Sequence, residues 1–162
     1  MTKVAVVMGS ISDWPTMKLT VDVLTTFDVI VERHIISAHR MPQQLMSFAK
    51  EARMNDVDVI IAGAGGAAHL PGMLAANTII PVIGVPIQSH ALNGLDSLLS
   101  IVQMPAGVPV GTVAIGNAGA KNAAYYALQM LSLKDARLIE PLEAFRTQQM
   151  QTAIDSEALF DE

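Results

Sequence analysis

Five short apolar runs, each followed by a stretch with helical periodicity, constrain this chain more than any other feature. Val4-Ala5-Val6-Val7-Met8 is apolar at every position and closes at Gly9. A strand wet on one face alternates, whereas a run apolar throughout must be covered on both faces, as in a parallel sheet. Trp14 to Phe27 then reads as a helix: Asp13 suits the N-cap, Pro15 the first turn, and Met17, Val21 and Leu24 fall on one stripe. Val29 to Ile36 is the second strand, Pro42 to Asn55 the second helix, and Val57 to Ala62 the third strand. A short helix follows over Met73 to Asn77, with a fourth strand at Val82 to Val85 and a helix over Leu92 to Ile101. Val113-Ala114-Ile115 is the fifth strand, Ala120 to Leu131 a helix, and Asp135 to about Ile154 a more polar one.

This order specifies an α/β fold: a three-layer sandwich around a central parallel five-stranded sheet, flavodoxin-like, plus a C-terminal helix. No linker, repeat or low-complexity segment interrupts it, so residues 1–162 are expected to form a single domain, with about 155–162 as a loosely ordered tail. Ligands in such folds bind beyond the carboxyl ends of the strands. The loops at Gly9, Ser37 and Gly63 are therefore where chemistry is expected.

Composition narrows the classes of function. The longest uncharged apolar stretches, Val59 to Ala68 and Ile79 to Ile87, are glycine-rich or broken by Pro81 and Pro86. Neither approaches the ~20 residues that cross a bilayer. The segment Met1-Thr2-Lys3-Val4 enters a strand directly, without the basic and apolar pattern of a leader, so a cytoplasmic address and no membrane partner are expected. A net charge of −5, with ten scattered basic residues, argues against nucleic acid as the partner. The absence of cysteine removes disulfides, thiolate nucleophiles and thiolate zinc sites, and the four histidines include no i, i+4 pair. No metal is therefore expected. Charged residues reach only 15% against roughly 25% in an average soluble protein, so apolar surface is expected to be hidden between subunits of a homo-oligomer.

Three loops carry candidate chemistry. In Gly9-Ser10-Ile11-Ser12-Asp13, the glycine permits a tight turn, Ser10 and Ser12 offer hydroxyls, and the helix start presents free N–H groups to a phosphate. Asp13 fits two roles, helix cap or acceptor for ribose hydroxyls. After the second strand, Ser37 precedes His39 and Arg40: a proton carrier beside a fixed cation able to clamp phosphate. The third loop places three glycines and three alanines before His69. Gly63, Gly65 and Ala68 formally fit a dinucleotide fingerprint, but they follow the third strand and lack the acidic residue about twenty positions on. Small residues there let a flat ring lie against the backbone, and His69 either touches the ligand or serves the structure. His34, inside the second strand, suits packing or a subunit contact, and His90 has no assigned role.

Taken together, Val7-Met8-Gly9-Ser10-Ile11-Ser12-Asp13, Ser37-Ala38-His39-Arg40-Met41-Pro42 and Ala62 to Gly72 carry a family likeness. A fourth segment runs from Gln88-Ser89 through Asp96-Ser97-Leu98-Leu99-Ser100-Ile101-Val102-Gln103-Met104-Pro105 to Gly111-Thr112-Val113-Ala114-Ile115-Gly116. In this order they closely resemble the N5-carboxyaminoimidazole ribonucleotide mutase family, the catalytic subunit of phosphoribosylaminoimidazole carboxylase (class I type) in de novo purine biosynthesis.

The resemblance implies an isomerase that converts N5-carboxyaminoimidazole ribonucleotide to 4-carboxy-5-aminoimidazole ribonucleotide by decarboxylation and recarboxylation, with no cofactor. It implies that Ser10, Asp13 and Arg40 bind the phosphoribosyl part, that Ser12 and Ser37 also bind substrate, and that His39 is the general acid and base. Ala64, Gly65, Gly66, His69 and Leu70 would line the ring and carbon dioxide pocket. It further implies an octamer with sites between subunits. The related alternative is direct carboxylation of aminoimidazole ribonucleotide with carbon dioxide. A non-catalytic nucleotide-binding module would also use the phosphate loop and glycines, but would leave His39 idle.

Overall fold

The computed structural model describes residues 2–161. Five parallel strands, β1 (Lys3–Met8), β2 (Ile30–Ile35), β3 (Val59–Gly65), β4 (Val82–Ile87) and β5 (Gly111–Thr112), form one sheet in the order β2-β1-β3-β4-β5. Two helices, α1 (Trp14–Thr26) and α5 (Asn117–Ser132), cover one face; α2 (Pro42–Glu51), α3 (Leu70–Ala75) and α4 (Leu95–Val102) cover the other. The expected three-layer, flavodoxin-like sandwich is therefore present, and α6 (Ile139–Asp155) is the C-terminal helix.

Consecutive residues of β1 serve opposite layers. Val4, Val6 and Met8 pack toward α1 and α5, Ala5 and Val7 toward α2 and α3, and β3 divides in the same way. This two-sided burial explains the unbroken apolar runs. β2, by contrast, is an edge strand with no fully buried residue, which matches its polar core of Glu32, Arg33 and His34. His34 lies against Phe48, with ring centroids 4.8 Å apart, and 3.4 Å from the Glu32 carboxylate, so it packs at the edge and stays out of the site.

Several boundaries differ from the sequence reading, each for a local reason. β3 and β4 run on to Gly65 and Ile87, because Ala64 and Gly65 keep pairing with Pro86 and Ile87 past the runs that the apolar pattern marks. The fifth strand is Gly111–Thr112 rather than Val113-Ala114-Ile115, since only two residues pair with Ile83 and Gly84. α3 starts at Leu70, three residues early, with Pro71 in its first turn. α4 starts late, at Leu95, because Asn93 and Gly94 are left-handed (φ 53° and 91°) and end the preceding loop. α2 stops at Glu51 and α5 begins at Asn117, while a 3₁₀ turn at Ala136–Leu138 precedes α6. Beyond Asp155, where the tail was placed, Ser156–Asp161 forms 3₁₀ turns and Glu162 lies outside the described residues.

α1 is drawn close to the sheet and to α5. A Cβ at Gly63 would run into the Met17 side chain, so the glycine sets the depth at which α1 sits. The fully buried Thr20 hydroxyl donates to the Ala120 carbonyl at 2.7 Å and fixes α1 against α5. Met17, in the first turn of α1 after the first loop, is wholly inaccessible and packs against Gly63 of β3. Met17→Ala should destabilise the fold by about 2–5 kcal/mol. Thermal unfolding of the two proteins would read this as a lowered midpoint, and an unchanged midpoint would contradict the packing described.

Candidate active site

The loops after β1, β2, β3 and β4 line a single cavity of about 600 Å³ at the carboxyl edge of the sheet. Ser10, Ser12 and Asp13 come from the first, Ser37, His39 and Arg40 from the second, and Ala64, Gly65, Gly66, His69 and Leu70 from β3 and its loop. Every residue singled out from the sequence as a site residue is on its wall. The fourth strand adds Ile87, Gln88, Ser89 and His90. Of these only His90 carries a titratable group, and its place at a strand end was the available signal. A smaller cavity of about 270 Å³ lies between α5 and α6 against Tyr125, Phe145 and Arg146, without an acid–base pair. Among the described residues, no three His, Cys, Asp or Glu side chains converge as a metal site.

The first loop is a reciprocal capping box. Ser10 Oγ accepts from the Ser12 N–H at 3.3 Å, and Asp13 Oδ2 accepts from the Ser10 N–H at 3.1 Å. Asp13 therefore does not cap α1 itself, as read from sequence; it braces the turn ahead of it. Ser12 Oγ also bonds Ser10 Oγ at 3.0 Å, so both hydroxyls and the helix start point at one small volume.

In the second loop, Arg40 Nε donates to Ser37 Oγ at 3.0 Å, and Nη2 lies 3.5 Å from the Gly9 carbonyl. The Ser37 contact orients the guanidinium toward the first loop, and its remaining N–H groups are available to an anion. His39 Nε2 lies 2.8 Å from His69 Nδ1, with the rings edge-on at 83°. A hydrogen bond at that distance makes one imidazole the donor and the other the acceptor. The second and third loops thus meet through a histidine pair able to move a proton between rings.

The acidity of Asp13 is shifted. Burial raises its carboxyl above the ordinary 3.8, opposed by the Ser10 and Gly9 N–H groups that hold the charged form. A carboxyl raised in the fold supplies stability below its unfolded value, and this is lost as pH rises through the folded value. At neutral pH the charge is thus a burden on the fold, a pattern common at functional sites. Asp13→Asn should have a thermal midpoint equal to or above that of the parent at pH 7, with the advantage shrinking as pH falls toward 3.8. A midpoint well below the parent only at pH 7 would mean the carboxylate stabilises the fold.

Residues 3–152 match the AIR carboxylase family. The N5-carboxyaminoimidazole ribonucleotide mutase of Vibrio parahaemolyticus is 57% identical over 152 residues, 94% of either chain. Proteins of the same name from Bacillus subtilis and Escherichia coli K12 are 56% and 53% identical, covering 94% and 95% of this chain and 94% and 91% of theirs. The crystal structure of Treponema denticola PurE superposes with a TM-score of 0.89 at 25% identity, covering both chains fully. On this agreement of sequence and fold, the chain belongs to the AIR carboxylase family.

Proposed function

We propose that this chain converts N5-carboxyaminoimidazole ribonucleotide to 4-carboxy-5-aminoimidazole ribonucleotide in purine biosynthesis, acting as one catalytic domain with His39 as general acid and base. The observation that carries the reading is the 2.8 Å His39–His69 contact, set between a phosphate-suited loop and a glycine-rich wall. The relatives named above bear the matching activity in their names.

The residues present can perform each step. The helix-start N–H groups, Ser10, Ser12 and Arg40 hold the 5′-phosphate, and Asp13 accepts from the ribose hydroxyls. His39 gives a proton to the exocyclic nitrogen of the carbamate, the nitrogen–carbon bond breaks with its electron pair left on nitrogen, and carbon dioxide is released. The ring carbon, made nucleophilic by the freed amine, attacks carbon dioxide. The proton displaced from that carbon returns to His39, so the enzyme ends as it began. No net oxidation or proton gain occurs. Ala64, Gly65, Gly66 and Leu70 form the wall against which ring and carbon dioxide lie, where solvent must be kept out.

The purified chain should convert the carbamate substrate faster than it carboxylates aminoimidazole ribonucleotide supplied with bicarbonate; the reverse order would assign the direct carboxylase reaction. General acid–base catalysis supplies about 10²–10⁴-fold, so His39→Asn should lower kcat by at least that lower figure with substrate affinity nearly unchanged. Arg40→Ala should instead weaken binding by about ten- to a hundredfold. A His39→Asn enzyme retaining most of its turnover would sink the assignment of His39.

The same reading carries a cytoplasmic location and an octameric assembly. Large apolar side chains at the surface, including Ile11, Leu92, Leu133 and Phe160, support burial between subunits. Light scattering on the eluting protein should give a mass near eight chains, and a stable monomer at micromolar concentration would refute the assembly.

A further inference from the structure

The cavity wall formed by the third loop is held from behind by one turn of α4. The β3–β4 ladder ends where Gly65 pairs with Ile87. Were it to continue, the next contact would run directly between the two backbones. Instead the Gly66 N–H donates to Ser97 Oγ at 2.9 Å, and the same hydroxyl donates to the Ile87 carbonyl at 2.6 Å. Ser97 is completely buried. Its hydroxyl is a spacer between two strand ends, shielded from ligand and solvent.

Neighbouring residues of α4 extend the same hold. Ser100 Oγ donates to Asp96 O at 2.7 Å and lies 3.3 Å from the Gly66 carbonyl, a weaker second contact. Asp96 accepts from Ser89 Oγ at 2.6 Å, and Ser89 Oγ accepts the Gly94 N–H at 3.1 Å. Gly66 needs such a hold. It is left-handed, at φ 66°; the Ala68 N–H closes the turn on the Gly66 carbonyl at 2.8 Å, and the buried Ala68 and Leu70 anchor the loop only beyond it. His69, three residues on, reaches His39 only if that turn keeps its angle.

We propose that Ser97 is a positioning residue for the carboxyl transfer: it fixes Gly66 between the ends of β3 and β4, so that the third loop closes on ring and carbon dioxide and delivers His69 to His39. This rests on the reaction proposed above. Ser97 touches no reactant; it acts through Gly66. The phosphate and ribose contacts lie in the first two loops, so loosening Gly66 leaves binding intact and impairs retention of carbon dioxide.

The test follows the carbamate substrate with wild type, Ser97→Ala, Ser97→Cys, Ser100→Ala and Gly66→Ala, corrected for the enzyme-free breakdown. Carboxylated product and released aminoimidazole ribonucleotide are both measured. A misplacement of about 1 Å costs up to about a hundredfold in rate, so Ser97→Ala should lose about ten- to a hundredfold in kcat with KM within about threefold. The fraction released as aminoimidazole ribonucleotide should rise at least about threefold. Ser97→Cys, which keeps a weak donor and acceptor, should recover part of both. Gly66→Ala, which strains the turn and adds a methyl to the wall facing the ring, should reproduce the loss of kcat and the rise in released aminoimidazole ribonucleotide with a higher KM besides, and Ser100→Ala should show a smaller change in kcat and release in the same direction.

A folded Ser97→Ala enzyme with wild-type kcat and release fraction, or one that loses only thermal stability, would overturn the proposal. If Ser97→Ala does not fold, wild-type values in both Gly66→Ala and Ser100→Ala would overturn it. If wild type itself forms no carboxylated product, the proposed reaction falls and takes this role with it.

Discussion

Beyond β1 the chain passes to one face of the sheet as α1, and beyond β3 it passes to the other as α3, so neither helix covers the gap between the two strand ends. The strand order β2-β1-β3-β4-β5 makes this divergence unavoidable. Every other feature of the site depends on it. The loops after β1 and β3 border the gap, and those after β2 and β4 flank it, so residues from positions 10, 39, 69 and 90 share one wall. Holding the gap at a fixed width falls to the packing behind it: Met17 under Gly63 on one face, and Ile101 against Gly84 on the other. Small residues in the central strands let the helices sit close, and close helices hold the strand ends still.

Within that frame, the polar groups at the cavity are engaged before any ligand arrives. Ser10 Oγ accepts from the Ser12 N–H and Asp13 from the Ser10 N–H, Ser37 directs Arg40, and His39 meets His69 at 2.8 Å. Each contact fixes a donor or acceptor in a chosen direction, which reduces the ordering that binding must impose. Asp13 is the exception in sign. Its capping-box bonds favour the carboxylate, yet burial outweighs them. A carboxylate in that position gains most when a diol donates to it, so a group that burdens the empty fold is suited to a filled site.

Much of this was legible in sequence, and the reasons are physical. β1 and α1 announce themselves because burial on two faces, and then on one stripe, imposes distinct periods on Val4 to Phe27. His39, Arg40 and His69 could be singled out because few residues carry such chemistry at strand ends. What the sequence concealed was held by backbone. Gly111–Thr112 pairs for only two residues, too short to imprint a period, so the more apolar Val113-Ala114-Ile115 drew the fifth strand. Asn93 and Gly94 take left-handed angles within an otherwise helical pattern, which displaced the start of α4. Ser97 reads as one more small polar residue on an amphipathic helix; only the coordinates reveal that its hydroxyl stands between two strands. The dual use of Asp13, brace and candidate ribose acceptor, was likewise posed by sequence as a choice between roles.

Carbon dioxide sets the strictest demand on such a site, because it has no charge to hold and leaves by diffusion. Within one chain, His39 and His69 are both exposed, and the cavity opens outward. Protection of the intermediate therefore has to come from two directions. From below, the third loop must stay pressed against the ring, which is the part played by Gly66 and the α4 contacts behind it. From above, something must cover the mouth, and large apolar side chains stand close to it in sequence though off the cavity wall: Ile11 is 66% exposed between Ser10 and Ser12, and Leu92 57% exposed two residues beyond His90. Exposed side chains of that size gain about 1.5–3 kcal/mol each on full burial. In the proposed octamer a neighbouring subunit would supply that burial, so the apolar contact that stabilises the assembly would also close the reaction vessel.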